Sequence, residues 1–276
     1  MRASAAETGI RRALRLALSM FRARSAALGV LALCVAPGAA VRADEILVSA
    51  AASLTDAFNE IGRAYAKANP GSTARFNFGG SGALSRQIAM GAPVDLFASA
   101  SPVEMDQLMK KGLIDRASRA NIASNRLALI APKGRRLRRW ADLGRGSVRR
   151  VAIANPETVP AGRYAKEVLQ RRGLWSSVQK KAILGENVRQ TLSYVAAGDV
   201  DAGIVFATDA QIDRRRVRIL ETAIPGKDHT PIVYPAAVLR DAPHRAEARR
   251  FLSFLQGPTS RAILRRHGFM PGTLNR

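Results

Sequence analysis

Four stretches of the sequence place small or hydroxyl-bearing residues where a helix is predicted to begin. They are AAASLTDAF with Ser53, GGSGAL with Ser81, NPETVPAG with Ala161 and GENVRQTL with Val188. The first N–H groups of a helix have no partner inside the helix, and with the helix dipole they favour a bound anion. The chemistry on offer is hydrogen-bond donation to an anion, although Ser and Asn are also ordinary helix caps.

In two of these stretches, a proline or several glycines further define the start of the helix. In VPAG, Pro160 lacks an N–H and starts the helix, so the next donors lie on Ala161 and Gly162, in a turn without bulky side chains. That suits recognition by main-chain groups, and a plain Pro-started helix is the alternative. In FNFGGSGAL, the glycines permit close approach to the main chain or form a hinge, and we expect Phe76 and Phe78 to pack on a sheet.

The elements that must hold these residues alternate between short apolar strands and amphipathic helices, as in an α/β protein with a parallel sheet. Helices are predicted on Leu54, Phe58, Ile61 and Tyr65, and again after SPVE, with Ser101 as cap and Glu104 closing a capping box. The predicted strands are ILVSA, TARFNF, VDLFASA, RLALIAP, VAIAN, DAGIVFA and IVYPAAVL. Because late strands often rejoin an earlier sheet, residues 126–228 are predicted to be a second unit inserted through two crossovers.

Residues 1–43 have the layout of a secretory signal peptide, with Arg22 and Arg24 before the apolar run SAALGVLALCVA and small residues up to Ala43. We expect cleavage after Ala43. Met20 begins a complete signal of its own, and Arg11-Arg12 leaves a twin-arginine interpretation open. The run is too short to span a membrane. The chain's one cysteine, Cys34, lies in this segment, so the mature chain has no disulfide or thiolate metal site; Leu33 disfavours lipidation of Cys34.

The chain carries 44 Lys and Arg against 21 Asp and Glu, a net charge of +23, of which +17 remains after residues 1–43 are removed. Such a charge suggests nucleic-acid binding. However, the arginines are scattered through the segments RRLRRW, VLQRRGLW, IDRRRVRIL and AEARRFL, which we interpret as helical, without interleaved aromatic residues. We therefore expect a solvated basic surface that helps to attract anions, and no nucleic-acid partner.

A secreted serine-type hydrolase is the alternative from another functional class. GGSGA falls one residue short of the G-x-S-x-G elbow because Ala83 takes the last position. The residues His229, His244 and His267 are too dispersed for a metal site. We expect no enzymatic activity.

In combination and order, these stretches resemble the periplasmic molybdate-binding protein family, the solute receptors of ABC importers. The resemblance is carried by AAASLTDAF, SGALSRQI, GAPVDLFASA, VPAGRYAKEVL, ENVRQTL, AGIVFATDA and the terminal GP and HGF, over residues 45–270. It implies an α/β, two-domain periplasmic-binding-protein fold of class II with two hinge crossovers. Domain I would be residues 44–125 plus 229–276, and domain II residues 126–228.

The resemblance also implies the ligand and its contacts. Molybdate or tungstate would be held between the domains without a cofactor or metal-ion ligands. Ser53 and Ser81 would donate from hydroxyl and main chain, and Ala161 and Val188 from the main chain. Phe206 departs from the pattern, because a Tyr hydroxyl often reaches the anion from this position.

The expected partner is a membrane-embedded ABC permease, and the expected form is a periplasmic monomer. Two alternatives stay open: a receptor for sulfate, phosphate or a small organic anion, and a regulator's effector domain, which the secretory start disfavours. The sequence does not rank molybdate against tungstate, give an affinity or identify the permease.

Overall fold

The computed structural model describes residues 44–272. The predicted signal peptide, residues 1–43 with Cys34, lies outside the described residues. No helix in the described part is long and apolar enough to cross a membrane.

The described part alternates strands and helices along the chain. In chain order, the strands are β1 (Asp44–Ala51), β2 (Ser72–Gly79), β3 (Leu96–Ala98), β4 (Ala120–Asn125), β5 (Leu127–Pro132), β6 (Val151–Ala154), β7 (Ala182–Gly185), β8 (Ala202–Phe206), β9 (Val217–Thr222), β10 (Ile232–Val238) and β11 (Met270–Pro271). The helices are α1 (Thr55–Ala68), α2 (Ser81–Ala89), α3 (Pro102–Lys110), α4 (Pro160–Arg171), α5 (Trp175–Val178), α6 (Val188–Ala197), α7 (Ala207–Ile212), α8 (Arg245–Gln256) and α9 (Pro258–Arg266). Short 3-10 helices lie at Ala52–Leu54, Arg116–Ser118, Trp140–Gly144 and Gln179–Lys181.

The strands form two sheets, each the centre of one lobe. The first lobe has a six-stranded sheet in the order β11-β4-β10-β3-β1-β2, and the second a five-stranded sheet in the order β7-β6-β8-β5-β9. The chain passes from the first sheet to the second between β4 and β5, and returns between β9 and β10. The α/β, two-domain fold class is confirmed.

The expectation of parallel sheets is wrong, because both sheets are mixed. β1 is parallel to β2 and β3, but β10 runs antiparallel to β3 and β4. In the second sheet, β6 is parallel to β7 and β8, while β5 is antiparallel to β8 and β9. β5 and β10 are the strands that immediately follow the two crossings between sheets. At both strands the chain arrives from the other sheet, so neither strand is joined to its sheet neighbours by the strand–helix–strand crossover that makes neighbours parallel.

Local patterns predict the first lobe well. The helix α1 buries Phe58, Ile61 and Tyr65 on one face, as predicted, and it ends before Asn69. Phe76 and Phe78 stack on each other beside the core, with ring centroids 5.4 Å apart, and neither lines the cavity described below.

Two local predictions fail. Ser101 does cap α3 by accepting from the Val103 N–H, but Glu104 forms no capping box, because its carboxylate pairs with Arg163 of the second lobe.

The arginine-rich RRLRRW is not helical before Trp140, and in IDRRRVRIL the helix stops at Ile212 and the edge strand β9 begins at Val217. On the edge of a sheet, half-exposed positions accept Arg as easily as a helix surface does.

Candidate ligand-binding site

The five residues proposed from the sequence lie around one small cavity between the lobes. Ser53 and Ser81 line it from the first lobe, and Ala161, Val188 and Phe206 line it from the second. The volume available to the centre of a water-sized molecule is about 10 Å³, which is close to the room that one water needs. All five residues are buried.

In the first lobe, two neighbouring parallel strands deliver the two serines. β1 and β2 are paired in register, with Ala51 opposite Gly79 at their carboxyl ends. Ser53 follows β1 in the 3-10 turn before α1, and Ser81 is the first residue of α2, directly after β2. Parallel strands end at the same sheet edge, so two helix starts meet there.

The second lobe repeats this arrangement at its own sheet edge. β6 is parallel to β7 and β8, with Ala154 opposite Gly185. The start of α4 follows β6, the start of α6 follows β7, and Phe206 ends β8. The close packing of α4 on β6 requires a glycine, because a Cβ on Gly162 would lie 2.1 Å from the Ala154 carbonyl oxygen.

The main-chain donors at these helix starts are available. Ala161 and Val188 belong to the first turns of α4 and α6, whose N–H groups have no intrahelical acceptor. The described residues supply no other main-chain acceptor for either N–H. Asn187 caps α6 by accepting from the Arg189 and Gln190 N–H groups, which leaves the Val188 N–H free.

Each of the two serine hydroxyls already has one hydrogen-bond partner within the first lobe. The Ser81 Oγ accepts from the Ala100 N–H at 3.1 Å, so Ser81 does not cap α2, whose N-cap is Gly80. The Ser53 Oγ lies 3.0 Å from the hydroxyl oxygen of Tyr234. Tyr234 lies on β10, and its segment IVYPAAVL shows only a strand pattern, so the sequence contains no sign of this contact.

The cavity wall carries no formal charge among residues 44–272. Arg189 directly follows the cavity-lining Val188, but its guanidinium is paired with two carboxylates. Its Nη2 lies 2.7 Å from an Asp56 oxygen, and its Nε lies 2.7 Å from an Asp209 oxygen. Burial raises the pKa of the Asp209 carboxyl to about 6, against the opposing effect of Arg189. The site therefore offers neutral hydrogen-bond donors.

The glycines of the GGSG turn serve the lobe interface more than the cavity. Gly79 and Gly80 line the cavity but Gly82 does not. A Cβ on Gly82 would lie 2.3 Å from the Thr158 carbonyl oxygen, and one on Gly80 would lie 2.8 Å from the Glu186 carbonyl oxygen. Gly79 and Gly80 therefore lie where close approach to a ligand was expected, while the missing side chains of Gly80 and Gly82 admit the main chain of the second lobe.

Phe206 occupies the cavity wall with its ring packed between two tyrosines. Its ring centroid lies 5.9 Å from that of Tyr234 and 6.4 Å from that of Tyr164. The nearby Thr208 does not line the cavity, and its Oγ1 accepts from the Asn125 Nδ2 at 2.9 Å. Thr208 is therefore not placed to replace the absent hydroxyl.

The three histidines have other partners. His229 contacts the Thr230 carbonyl, His244 pairs with Asp95, and His267 pairs with Glu60. None of them lines the cavity. The described residues contain no group of His, Cys, Asp and Glu that could hold a metal ion.

Comparison with known proteins gives the family. The family model described as bacterial extracellular solute-binding protein matches residues 46–270. The chain belongs to this family. Proteins of this family are solute receptors without enzymatic activity, which excludes the hydrolase alternative.

Relatives of this solute-binding protein match over nearly their whole length. The putative ABC transporter substrate-binding lipoprotein YvgL of Bacillus subtilis is 38% identical over 81% of this chain and 85% of its own. The molybdate-binding protein ModA of Escherichia coli is 36% identical over 87% of this chain and 94% of its own. The solved structure of the Azotobacter vinelandii periplasmic molybdate-binding protein is 26% identical with a TM-score of 0.74, and covers 82% of this chain and 98% of its own.

Proposed function

We propose that this solute-binding protein captures molybdate, and tungstate with it, in the cavity between its lobes and delivers it to an ABC permease. The observation that carries the proposal is the convergence of Ser53, Ser81, Ala161 and Val188 on one uncharged cavity. The names of its relatives ModA and the Azotobacter protein support molybdate as the ligand.

The donor chemistry suits a tetrahedral dianion. Such an ion loses its hydration on burial and must recover it through several hydrogen bonds. Bonds from N–H and O–H groups to an ionised acceptor are stronger than those between neutral groups. Two hydroxyls and helix-start N–H groups provide them without a Lys or Arg, and no cofactor is part of the proposal.

Ligand entry would require the lobes to separate. The cavity of about 10 Å³ is smaller than a four-oxygen anion needs. Arg163 and Arg189 of the second lobe contact Glu104 and Asp56 of the first. The crossings β4–β5 and β9–β10 are the segments about which the lobes would open, which supports the proposed division at residues 126 and 228.

The protein would act outside the cytoplasm, together with a membrane permease. The signal-like residues 1–43 and the family description support export, with the periplasm as the site of action. The membrane permease of an importer is the partner, as the name of YvgL suggests for that relative. The protein would act as a monomer.

Thermal unfolding of the mature chain, residues 44–276, tests the ligand. Molybdate, tungstate, sulfate and phosphate are added separately at matched concentration and ionic strength. A ligand at about 100 times its dissociation constant adds about 2.7 kcal/mol, which raises the melting temperature by roughly 5–10 °C for a chain of this size.

The pattern of shifts decides the specificity. A shift with molybdate and tungstate alone supports the proposal. A shift with sulfate or phosphate alone keeps the receptor and replaces its ligand, and no shift with any anion overturns the site.

A further inference from the structure

Tyr234 lies behind the cavity wall rather than in it. The residue sits on β10 of the first lobe, fully buried, and is not part of the cavity lining. Its hydroxyl oxygen is 3.0 Å from Ser53 Oγ, across 181 residues of sequence. Burial raises the pKa of the Tyr234 hydroxyl above its ordinary value, so the group stays protonated.

The second contact of the Tyr234 hydroxyl comes from a side-chain amide of known orientation. Asn125 Oδ1 accepts from the Arg126 N–H at 2.9 Å, which directs its Nδ2 group away from that side. Nδ2 then donates to the Tyr234 hydroxyl at 3.2 Å and to Thr208 Oγ1 at 2.9 Å. An NH₂ group has two protons and cannot accept, so both protons of Nδ2 are used.

These contacts determine which way the protons point. Because the Tyr234 oxygen accepts from Asn125, its own proton has one acceptor within reach among the described residues, Ser53 Oγ. The opposite direction would leave a buried phenol proton without an acceptor, which is costly. Ser53 Oγ therefore accepts from Tyr234 and has its own proton left for the cavity.

We propose that Tyr234 is a positioning residue that commits the Ser53 hydroxyl to donating into the ligand cavity. The inference rests on the proposed function and deepens it. Ser81 is committed in the same way, since its oxygen accepts from the Ala100 N–H. Both serines then act as donors, which favours a fully deprotonated oxyanion over one that keeps an O–H and needs an acceptor.

A double-mutant cycle on molybdate affinity tests this role. Tyr234→Phe keeps the ring and removes the hydroxyl, so the Ser53 proton is no longer committed to the cavity, and we expect molybdate binding to weaken severalfold, up to about tenfold. In a Ser53→Ala background, Tyr234→Phe should have no further effect on affinity, because its influence passes through the Ser53 hydroxyl.

A matched control separates this role from stability. Tyr65→Phe also removes a fully buried phenol hydroxyl, which bonds Glu247 of the same lobe rather than a cavity residue. It should lower the melting temperature while leaving molybdate affinity unchanged. Calorimetric titrations with molybdate and with phosphate at pH 8 give a second readout. The ratio of the phosphate to the molybdate dissociation constant should fall in Tyr234→Phe, because Ser53 regains a free acceptor lone pair.

Wild-type affinity in Tyr234→Phe, or equal losses from Tyr234→Phe with and without Ser53, overturns the inference and leaves the proposed function intact. A wild-type chain that binds no molybdate overturns both.

Discussion

The main-chain N–H of Gly82 donates to the Thr158 carbonyl oxygen across the lobe interface, with N and O 3.1 Å apart. Gly82 belongs to the first turn of α2, and Thr158 precedes the VPAG start of α4. A Cβ at residue 82 would lie 2.3 Å from the same oxygen. The two helix starts that flank the cavity are therefore joined by main chain alone, with no space for a side chain.

Gly82→Ala should hold the lobes apart. Since the methyl group meets main-chain atoms that cannot rotate away, we expect molybdate affinity to fall by about tenfold or more through loss of the closed form. Calorimetric titration gives the affinity, and small-angle scattering with saturating molybdate should show a larger radius of gyration than wild type. Gly146→Ala, where a Cβ meets no neighbouring atom, is the control. Equal affinities for the two variants would contradict the prediction.

Phe206→Tyr should tighten molybdate binding. Phe206 lines the cavity, and a para hydroxyl would supply the donor that the chain lacks. One bond to an ionised acceptor contributes about 1.5–3 kcal/mol, or at least about tenfold in affinity. Phe254→Tyr, in the Tyr65 cluster of the first lobe, controls for adding a hydroxyl elsewhere. Unchanged or weaker binding would show that the new hydroxyl does not reach the anion.

Arg163→Gln should weaken ligand binding more than it affects folding. Arg163 of α4 pairs with the buried Glu104 of α3 and so links the two lobes. Removing the cation leaves a carboxylate buried in the closed form, whereas separation of the lobes rehydrates it. We expect affinity to fall about tenfold, with partial recovery in the double variant with Glu104→Gln.

The exposed pair Arg216 with Asp213 lies within the second lobe, so Arg216→Gln is the control for the loss of a guanidinium. It should leave titration curves unchanged. If Arg163→Gln and Arg216→Gln bind alike, the ion pair does not contribute to closure.

Asp209→Asn should remove one component of the pH dependence of folding. Burial raises the pKa of Asp209 from 3.8 to about 6, so the folded state binds the proton more tightly than the unfolded chain. The stability from this group is fully present below about pH 4 and is lost as the pH rises to about 6. The free energy of unfolding of wild type minus that of Asp209→Asn should fall by about 1–3 kcal/mol over that range.

Urea denaturation at intervals between pH 4 and pH 7 measures this difference. Asp142→Asn gives a comparison of opposite sign, because the hydrogen bond from the Arg138 N–H lowers the pKa of Asp142. The stability from Asp142 is present above its unfolded pKa and is lost as the pH falls. A wild-type difference curve for Asp209 that is flat, or that rises with pH, would refute the buried ionisation.

Much of the local structure could be predicted from short segments. The α1 face, the Pro160 helix start and the Asn187 cap depend on residues within a few positions of one another, so periodicity and capping chemistry suffice. The four helix starts and Phe206 were also predicted, from short segments and from the resemblance to a family. In the structure they line one cavity. Their contacts with the anion stay a prediction.

The sequence by itself determined the α/β alternation, the helix starts and the family. Only the tertiary structure decided the antiparallel strands, the pairing of Glu104 with Arg163, the contact of Gly82 with Thr158 and the Tyr234 hydroxyl behind Ser53. The physical reason is distance along the chain: a cap or a helix face is satisfied within one or two turns. The partner of a buried hydroxyl or carboxylate instead depends on where two crossings between sheets bring the remote chain.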